Sequence, residues 1–214
     1  MIRLQKLVMG SKERMERHKE QVRRDIMDAA LQIGKESGWN ALSMRKIADA
    51  IEYTAPLIYE YFRNKDDLLR ELTRDGFVLL TRHVSQALAR TSDPLRQLPA
   101  MWTAYWNFAV SEHQRYQIMF GIEFICCDFK KTLPEAQASV SLFISVIQKI
   151  LHEQEAPSEL ALKYYYTFWS TIHGLISINH IRDDVPEKVS MQVLTGALDG
   201  IMNMLVASVP GRGA

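Results

Sequence analysis

Cysteine is scarce in this 214-residue chain, which holds only Cys126 and Cys127. Neighbouring residues on a helix point about 100° apart, so a disulfide between these two would be strained. Two adjacent thiols also fall short of the four ligands of a structural zinc site. We therefore interpret both as buried structural thiols, and we expect no disulfide framework, metal or other cofactor.

Long hydrophobic runs are missing as well. No stretch approaches the roughly 18 apolar residues of a membrane-spanning helix. Residues 1–9 lack the apolar core of a signal peptide. We therefore expect a cytoplasmic protein without a membrane partner.

Catalytic motifs are also lacking. The six histidines include no His-Glu-x-x-His pair, the spacing that places two zinc ligands on one helix face. The sequence contains neither the Gly-x-Ser-x-Gly turn of serine hydrolases nor a glycine-rich phosphate loop. We do not expect an enzyme.

What the sequence does contain is an uneven distribution of charge. The formal net charge is only +1, but residues 1–25 carry eight Lys or Arg against four acidic residues. Residues 76–214 carry 11 basic and 12 acidic residues. A local excess of positive charge favours phosphate binding. The alternative is a solvated basic helix that binds nothing, and charge alone does not separate the two.

Residues 43–69 have the pattern of two short helices, a tight turn and the start of a third helix. The first helix has apolar residues at the spacing of one buried face: Met44, Ile47, Ala48 and Ile51. Ser43 and Thr54 stand at the N-cap positions of the two short helices, and Asn64 at that of the third. This spacing is typical of a helix-turn-helix, whose second helix enters the major groove of DNA.

The same residues resemble the N-terminal signature of the tetracycline-repressor (TetR) family, from Ile26 to Leu69. The most specific part is the block LIYEYFRNK at residues 57–65. The resemblance implies an all-α fold, with an N-terminal three-helix helix-turn-helix domain followed by a larger helical-bundle domain for regulation and dimerisation. Glu52 departs from the family pattern, which usually has Gly in this turn because positive φ is common there. We expect either a cost of about 1 kcal/mol or a slightly different turn.

The family pattern also implies which residues contact DNA. Carried over position by position, these are Ser43, Arg45, Thr54, Ala55, Pro56, Tyr59, Tyr61 and Lys65. The recognition helix carries no Lys or Arg, so base reading looks mostly apolar, and we expect Ala55, Pro56 and Leu57 to touch thymine methyl groups. We expect much of the affinity to come from phosphate contacts.

We expect three segments along the chain. They are a flexible basic N-terminal extension over 1–18, a helix-turn-helix DNA-binding domain over 19–75, and a ligand-binding and dimerisation domain over 76–214. The pattern predicts helices from Lys19 to Ser37, Lys65 to about Arg90, Pro99 to Ser111, Gln114 to Asp128, Pro134 to the break at Ala156-Pro157, Glu159 to about Arg182, and Glu187 to about Ser208.

The last two predicted helices are apolar on two faces, and a helix of this kind must bury both. One face can pack within its own subunit while the other meets a second copy, as the family resemblance also implies. The predicted interface consists of Ile172, Ile176, Leu194, Ala197, Leu198, Ile201 and Leu205. The alternative is that both faces are buried in one large monomeric core.

The second domain is rich in aromatic residues, and helical bundles often hold a small-molecule site between their helices. The predicted effector pocket consists of Trp102, Tyr105, Trp106, Phe124, Phe143, Trp169 and His173. The alternative is that these rings are ordinary core.

Taken together, the patterns and the resemblance predict a sequence-specific DNA-binding transcriptional regulator. Its partners would be double-stranded DNA with a palindromic operator, a second copy of the chain, and a small apolar or aromatic effector that releases the repressor. One alternative is an architectural DNA-binding dimer that needs no effector. Another is a helical-bundle enzyme with a DNA-binding module.

Overall fold

The computed structural model describes residues 10–121, 133–153, 156–181 and 184–209. Within these ranges the chain forms nine α-helices, one 3-10 turn and no strand, so the all-α prediction is confirmed. The helices are α1 (Ser11–Ser37), α2 (Met44–Ala50), α3 (Ala55–Tyr61), α4 (Lys65–Leu88), α5 (Pro94–Ser111), α6 (His113–Phe120), α7 (Pro134–Leu151), α8 (Glu159–Ile181) and α9 (Glu187–Ala207), with the 3-10 turn at Trp39–Ala41. Cys126, Cys127 and Phe124 lie outside the described residues.

The chain divides into two compact units, Met1–Leu72 and Thr73–Ala214, and the boundary falls within α4. The first unit packs α1, α2, α3 and the start of α4 around a small apolar core. The fully buried side chains of this core include Ile26, Ile47, Ile58, Leu68 and Leu72. Burial of this kind, at about 25 cal/mol per Å² of apolar surface, is what holds two seven-residue helices in place, since helices of that length are not stable alone.

Two of the predicted N-caps are confirmed. The Ser43 hydroxyl accepts a hydrogen bond from the backbone N–H of Lys46 at 3.2 Å. The Asn64 side-chain oxygen accepts one from the backbone N–H of Asp67 at 2.8 Å. Thr54 occupies the N-cap position of α3 with extended backbone angles, but its hydroxyl does not cap the helix.

The first helix begins earlier than the pattern predicts, at Ser11 and not near Lys19. Residues 12–18 of the expected flexible extension are therefore helical, with exposed side chains. The physical reason lies in their composition: Lys, Glu, Arg and Met are good helix formers, and no Gly or Pro interrupts them. Glu13 and Arg17 also stand four apart with the favourable order of charges.

The turn between α2 and α3 places Glu52 at a φ of 58°, in the left-handed region. The Tyr53 N–H donates to the Ala48 carbonyl at 2.9 Å and closes the end of α2, a hydrogen bond that requires the residue before Tyr53 to be left-handed. Glu52 therefore occupies the position at which glycine is the least strained residue, which is the first of the two alternatives.

Replacing Glu52 by Gly should consequently raise the free energy of unfolding, by about 0.5–1 kcal/mol after the larger entropy of an unfolded glycine is deducted. Urea denaturation followed by circular dichroism measures the change. Glu60→Gly is the matched control, because Glu60 is exposed within α3 and glycine there should cost about 1 kcal/mol. If both substitutions destabilise the protein equally, the left-handed turn is not strained.

In the second unit α5 begins at Pro94, so the predicted start at Pro99 is wrong. The Asp93 carboxylate accepts a hydrogen bond from the Leu95 N–H at 3.0 Å and caps the helix, with Pro94 in the first turn. Pro99 lies inside α5. The next helix, α6, ends at Phe120, and the remainder of its predicted length lies outside the described residues.

Helices α8 and α9 pack side by side in antiparallel directions. The Tyr164 hydroxyl donates to the Met204 carbonyl at 2.8 Å, and the Ser190 hydroxyl donates to the Asn179 side-chain oxygen at 3.0 Å. Among the described helices, α9 alone is long and apolar enough by composition to span a membrane, with a mean hydropathy of 1.3 and 33% of that window buried.

Most residues of the predicted dimer interface lie on the inner faces of these two helices. Six of its seven residues are buried within their own subunit, where they form part of the core: Ile172, Ile176, Leu194, Leu198, Ile201 and Leu205. Only Ala197 is partly exposed. The physical reason is that these aliphatic side chains fill the space between the helices of their own bundle, while other apolar residues of α8 and α9 face outward.

Those outer residues form what we call the exposed apolar stripe. It consists of Leu162 and Tyr166 on α8 and of Val189, Val193, Gly196, Gly200 and Met204 on α9. On each helix consecutive members are separated by three or four residues, so they lie on one side.

Candidate nucleic-acid interface and ligand cavity

The predicted DNA-contacting residues lie along α2, the turn, α3 and the first residue of α4. Five of them are exposed, namely Ser43, Arg45, Thr54, Pro56 and Tyr59. The other three, Ala55, Tyr61 and Lys65, are partly buried. The core residue Ile58 faces inward from the middle of α3, which turns Tyr59 outward with 52% of its surface exposed.

The polar groups of this surface differ in what they already bind. The Ser43 hydroxyl accepts from the start of α2. The Thr54 hydroxyl and the Arg45 guanidinium have no hydrogen-bond partner among residues 10–121. Partial burial raises the pKa of Tyr61, and the nearby Glu60 and Tyr53 add to the shift, so this hydroxyl stays protonated and can donate.

Lys65 has a structural role that sequence reasoning missed. Its Nζ donates to the Trp39 carbonyl at 2.8 Å, across 26 positions of sequence. The bond ties the start of α4 to the 3-10 turn. An ammonium has three donors, so two remain for a phosphate oxygen near the N-terminus of α4. No local sequence pattern predicts a contact between residues this far apart in the chain.

Arg23 is a second residue that the sequence did not single out. Its guanidinium pairs with the Glu71 carboxylate at 3.0 Å and lies over the Phe62 ring, 5.3 Å from the centroid. Phe62 ends α3, so the contact fixes the C-terminal end of α3 between α1 and α4. A flat guanidinium suits this double role, because it can stack and form a hydrogen bond at once.

In the second unit a cavity of about 130 Å³ opens among the aromatic residues of α4 to α8. Its lining consists of Phe77, Leu80, Trp102, Tyr105, Phe120, Ala136, Ser139, Val140, Phe143, Tyr165 and Trp169. Four of these were predicted: Trp102, Tyr105, Phe143 and Trp169. The aromatic pattern therefore located the cavity but missed the contribution of α4 and most of α7.

Two predicted pocket residues lie elsewhere, and a third, Phe124, is outside the described residues. Trp106 is buried in the core beside the cavity and does not line it, since adjacent positions on a helix point about 100° apart. His173 stacks on Trp169 with centroids 5.2 Å apart, so it stands behind the cavity wall and does not face the cavity.

A chain of hydrogen bonds connects this wall to His173. The Trp169 indole N–H donates to the Tyr105 hydroxyl at 3.3 Å, which lies 3.0 Å from the Tyr116 hydroxyl. The Tyr116 hydroxyl in turn bonds the His173 Nδ1. Burial raises the pKa of Tyr105 and of Tyr116 and lowers that of His173. All these groups are neutral at pH 7.

Further along α8, His180 stacks against His113 with ring centroids 4.0 Å apart. Burial lowers the pKa of His180 to about 4, and the neighbouring His113 and His173 add to the shift. The pair is therefore uncharged at neutral pH. In the described ranges no group of three His, Cys, Asp or Glu side chains has metal-site geometry.

Comparison with known proteins identifies both units. Residues 26–72 match the family model of bacterial regulatory proteins of the tetR family, and residues 98–182 match that of the tetracyclin repressor-like C-terminal domain. The matched families are transcriptional regulators. The first match covers α2, the turn and α3, where the predicted DNA contacts lie.

Individual relatives agree. The transcriptional activator FasR of Mycolicibacterium smegmatis is 27% identical over 120 residues, which is 56% of this chain and 52% of the relative. The transcriptional repressor KstR2 of the same organism is 26% identical over 97 residues, 45% of this chain and 46% of the relative. The chain thus matches about half the length of these curated relatives.

Among solved structures, a crystal structure of the regulatory protein SCO4313 superimposes with a TM-score of 0.73 at 25% identity, covering 88% of this chain and 98% of that one. The fold, the helix-turn-helix and both family matches lead to one conclusion. The chain belongs to the tetracycline-repressor (TetR) family of DNA-binding transcriptional regulators.

Proposed function

We propose that this protein is a homodimeric, cytoplasmic repressor that binds a palindromic operator and is released from it by a small apolar effector. The observation that carries the proposal is the exposed surface of α2 and α3, which presents the free Thr54 hydroxyl, the Arg45 guanidinium and the Tyr59 side chain together.

The chemistry of this surface suits the binding of phosphates by some residues and of base edges by others. Arg45, Thr54 and Tyr59 supply a positive charge and two hydroxyls, the groups that bind phosphate oxygens. Helix α3 carries no Lys or Arg, so Ala55 and Pro56 would read base edges through apolar contact with thymine methyl groups. Ser43, Tyr61 and Lys65 complete the proposed set, with Lys65 at the N-terminus of α4, where a phosphate is favoured.

The exposed apolar stripe supports assembly into a dimer. Its apolar side chains would otherwise stay in contact with water, and two glycines, Gly196 and Gly200, leave room for close approach of a second helix. Two copies of α8 and α9 would form a four-helix interface about a two-fold axis. Burial of the outer face in such an interface also explains why α9 is apolar, so no insertion into a membrane is needed to explain it.

The cavity supports control by an effector and disfavours a purely architectural role. Phe77 and Leu80, which line the cavity, belong to α4, and the same helix begins at Lys65. A ligand that binds more tightly when α4 is shifted would disfavour the DNA-bound state. The loss of DNA-binding free energy equals the difference between the free energies of ligand binding to the two states, typically 1–3 kcal/mol.

Selection of bound duplexes from a random DNA pool tests the proposal. The expected product is an inverted repeat with half-sites about one helical turn, roughly 10–11 base pairs, apart or slightly more. The DNA flanking the gene should contain the same repeat, and transcription from it in vitro should fall when the protein is added. Enriched sequences without two-fold symmetry, or activation of transcription, would contradict the proposal.

A further inference from the structure

The cavity in the second unit has one feature that its aromatic composition does not explain. The Trp102 indole Nε1 is buried and has no hydrogen-bond partner in the part of the chain that the structure describes. An indole nitrogen can only donate, and a buried donor left unpaired destabilises the protein that contains it. A ligand with a hydrogen-bond acceptor would pair this N–H group and remove its destabilising effect.

The packing of Trp102 limits which part of its ring can reach a ligand. Phe143 stacks on the ring with centroids 4.0 Å apart and an interplanar angle of 25°. Phe168 lies nearly parallel to it at 5.6 Å and 17°. Trp102 is also a lining residue of the cavity, so a ligand held there can bring an acceptor to the indole.

The other polar groups of the lining are mostly satisfied. The Trp169 N–H donates to Tyr105, whose hydroxyl also pairs with Tyr116. The Ser139 hydroxyl donates to the Ala136 carbonyl at 2.8 Å. Tyr165, whose pKa burial raises, keeps a neutral hydroxyl that serves equally as donor or acceptor. Trp102 is therefore the lining group that selects specifically for an acceptor.

Size and charge narrow the ligand further. A cavity of about 130 Å³ is close to the roughly 150 Å³ of an engineered apolar cavity that takes up benzene. None of the lining residues within the described ranges is Asp, Glu, Lys, Arg or His, so a buried ionic group would lack a partner among them. Flat aromatic walls favour a flat ring.

We propose that this cavity binds a neutral, single-ring aromatic molecule with one hydrogen-bond acceptor such as a carbonyl, and that the Trp102 indole N–H donates to that acceptor. The proposal deepens the effector control proposed above and rests on it for its biological role, although not for the binding itself.

Calorimetry on the DNA-free protein tests the proposal with two probes of nearly equal shape, acetophenone and ethylbenzene. Only acetophenone has an acceptor. In the Trp102→Phe variant acetophenone should bind about five- to tenfold more weakly, the effect of one neutral hydrogen bond, while the affinity for ethylbenzene should change little. The affinity of each probe for the variant is compared with the affinity of the same probe for the wild type, so the different hydrophobicities of the two probes cancel.

Trp106→Phe is the matched control, because Trp106 is buried on the same helix but does not line the cavity; both affinities should stay as in the wild type. Equal weakening of both probes by Trp102→Phe, or tighter binding of benzoate than of acetophenone, would overturn the proposal. So would a failure of the wild type to bind acetophenone.

A measurement on the wild type covers the case in which Trp102→Phe does not fold. The chain has four tryptophans, whose indole N–H signals are assigned from variants at Trp39, Trp106 and Trp169. Acetophenone should shift the remaining signal, that of Trp102, and ethylbenzene should leave it nearly unmoved; the reverse pattern refutes the hydrogen bond. Operator affinity is measured separately. If acetophenone binds through Trp102 but does not weaken operator binding, the ligand assignment is supported. Only the effector role of the cavity is then contradicted.

Discussion

Gly200→Glu is expected to convert the proposed dimer to monomers and to lower operator affinity by about 100-fold or more, because a monomer loses the effective concentration that links two half-sites. Gly200 lies in the exposed apolar stripe, and a Cβ added there meets no atom of its own subunit within 4 Å. Glu is also a better helix former than Gly. The isolated subunit should therefore remain folded, while a carboxylate in the interface would be buried without a partner.

Light scattering gives the mass of the variant, circular dichroism its fold, and fluorescence anisotropy its affinity for the selected operator. Thr195→Glu is the matched control, since Thr195 is exposed on α9 but points away from the stripe. Leu198→Glu should behave differently from both: Leu198 is buried in the core, and a charge there should unfold the subunit. A Gly200→Glu protein that stays dimeric would place the interface elsewhere.

Arg45→Ala should weaken operator binding on the order of 100-fold at low salt, because a dimer loses two charge-assisted contacts of about 1.5 kcal/mol or more each. The slope of log affinity against log salt concentration should decrease by roughly 1.8, or 0.9 for each lost phosphate contact. The loss should be similar for operator and for non-specific DNA, since phosphates carry no sequence information.

Arg45 is exposed and has no ion pair or hydrogen bond in residues 10–121, so its removal should leave the free energy of unfolding nearly unchanged. Lys149→Ala is the control: Lys149 is an exposed cation near the end of α7, and its loss changes the net charge equally. If both variants reduce the salt slope to the same extent, the effect comes from net charge and not from docking at Arg45.

Much of the DNA-binding unit was predictable because its determinants are local. The caps at Ser43 and Asn64 depend on residues three positions away. The buried face of α2 follows the 3.6-residue period, and the turn at Glu52 follows the family pattern. What escaped prediction there depends on contacts distant in sequence: the Lys65–Trp39 bond spans 26 positions, and Arg23 meets Glu71 and Phe62.

The aromatic cavity of the second unit was predictable in part for the same reason. The aromatic residues of α5, α7 and α8 identified four lining residues, but a cavity depends on how helices pack. Thus Phe77 and Leu80 of α4 entered the lining, while Trp106 packed into the core.

The sequence by itself determined the all-α fold, the helix-turn-helix and its caps, because these depend on periodicity and on hydrogen bonds between near neighbours. It also determined that α8 and α9 have two apolar faces. Only the tertiary structure decided which face is inside. Periodicity records that a face is apolar, but burial of Leu198 or exposure of Val193 depends on the volume left between neighbouring helices, and that volume is set by side chains far away in sequence.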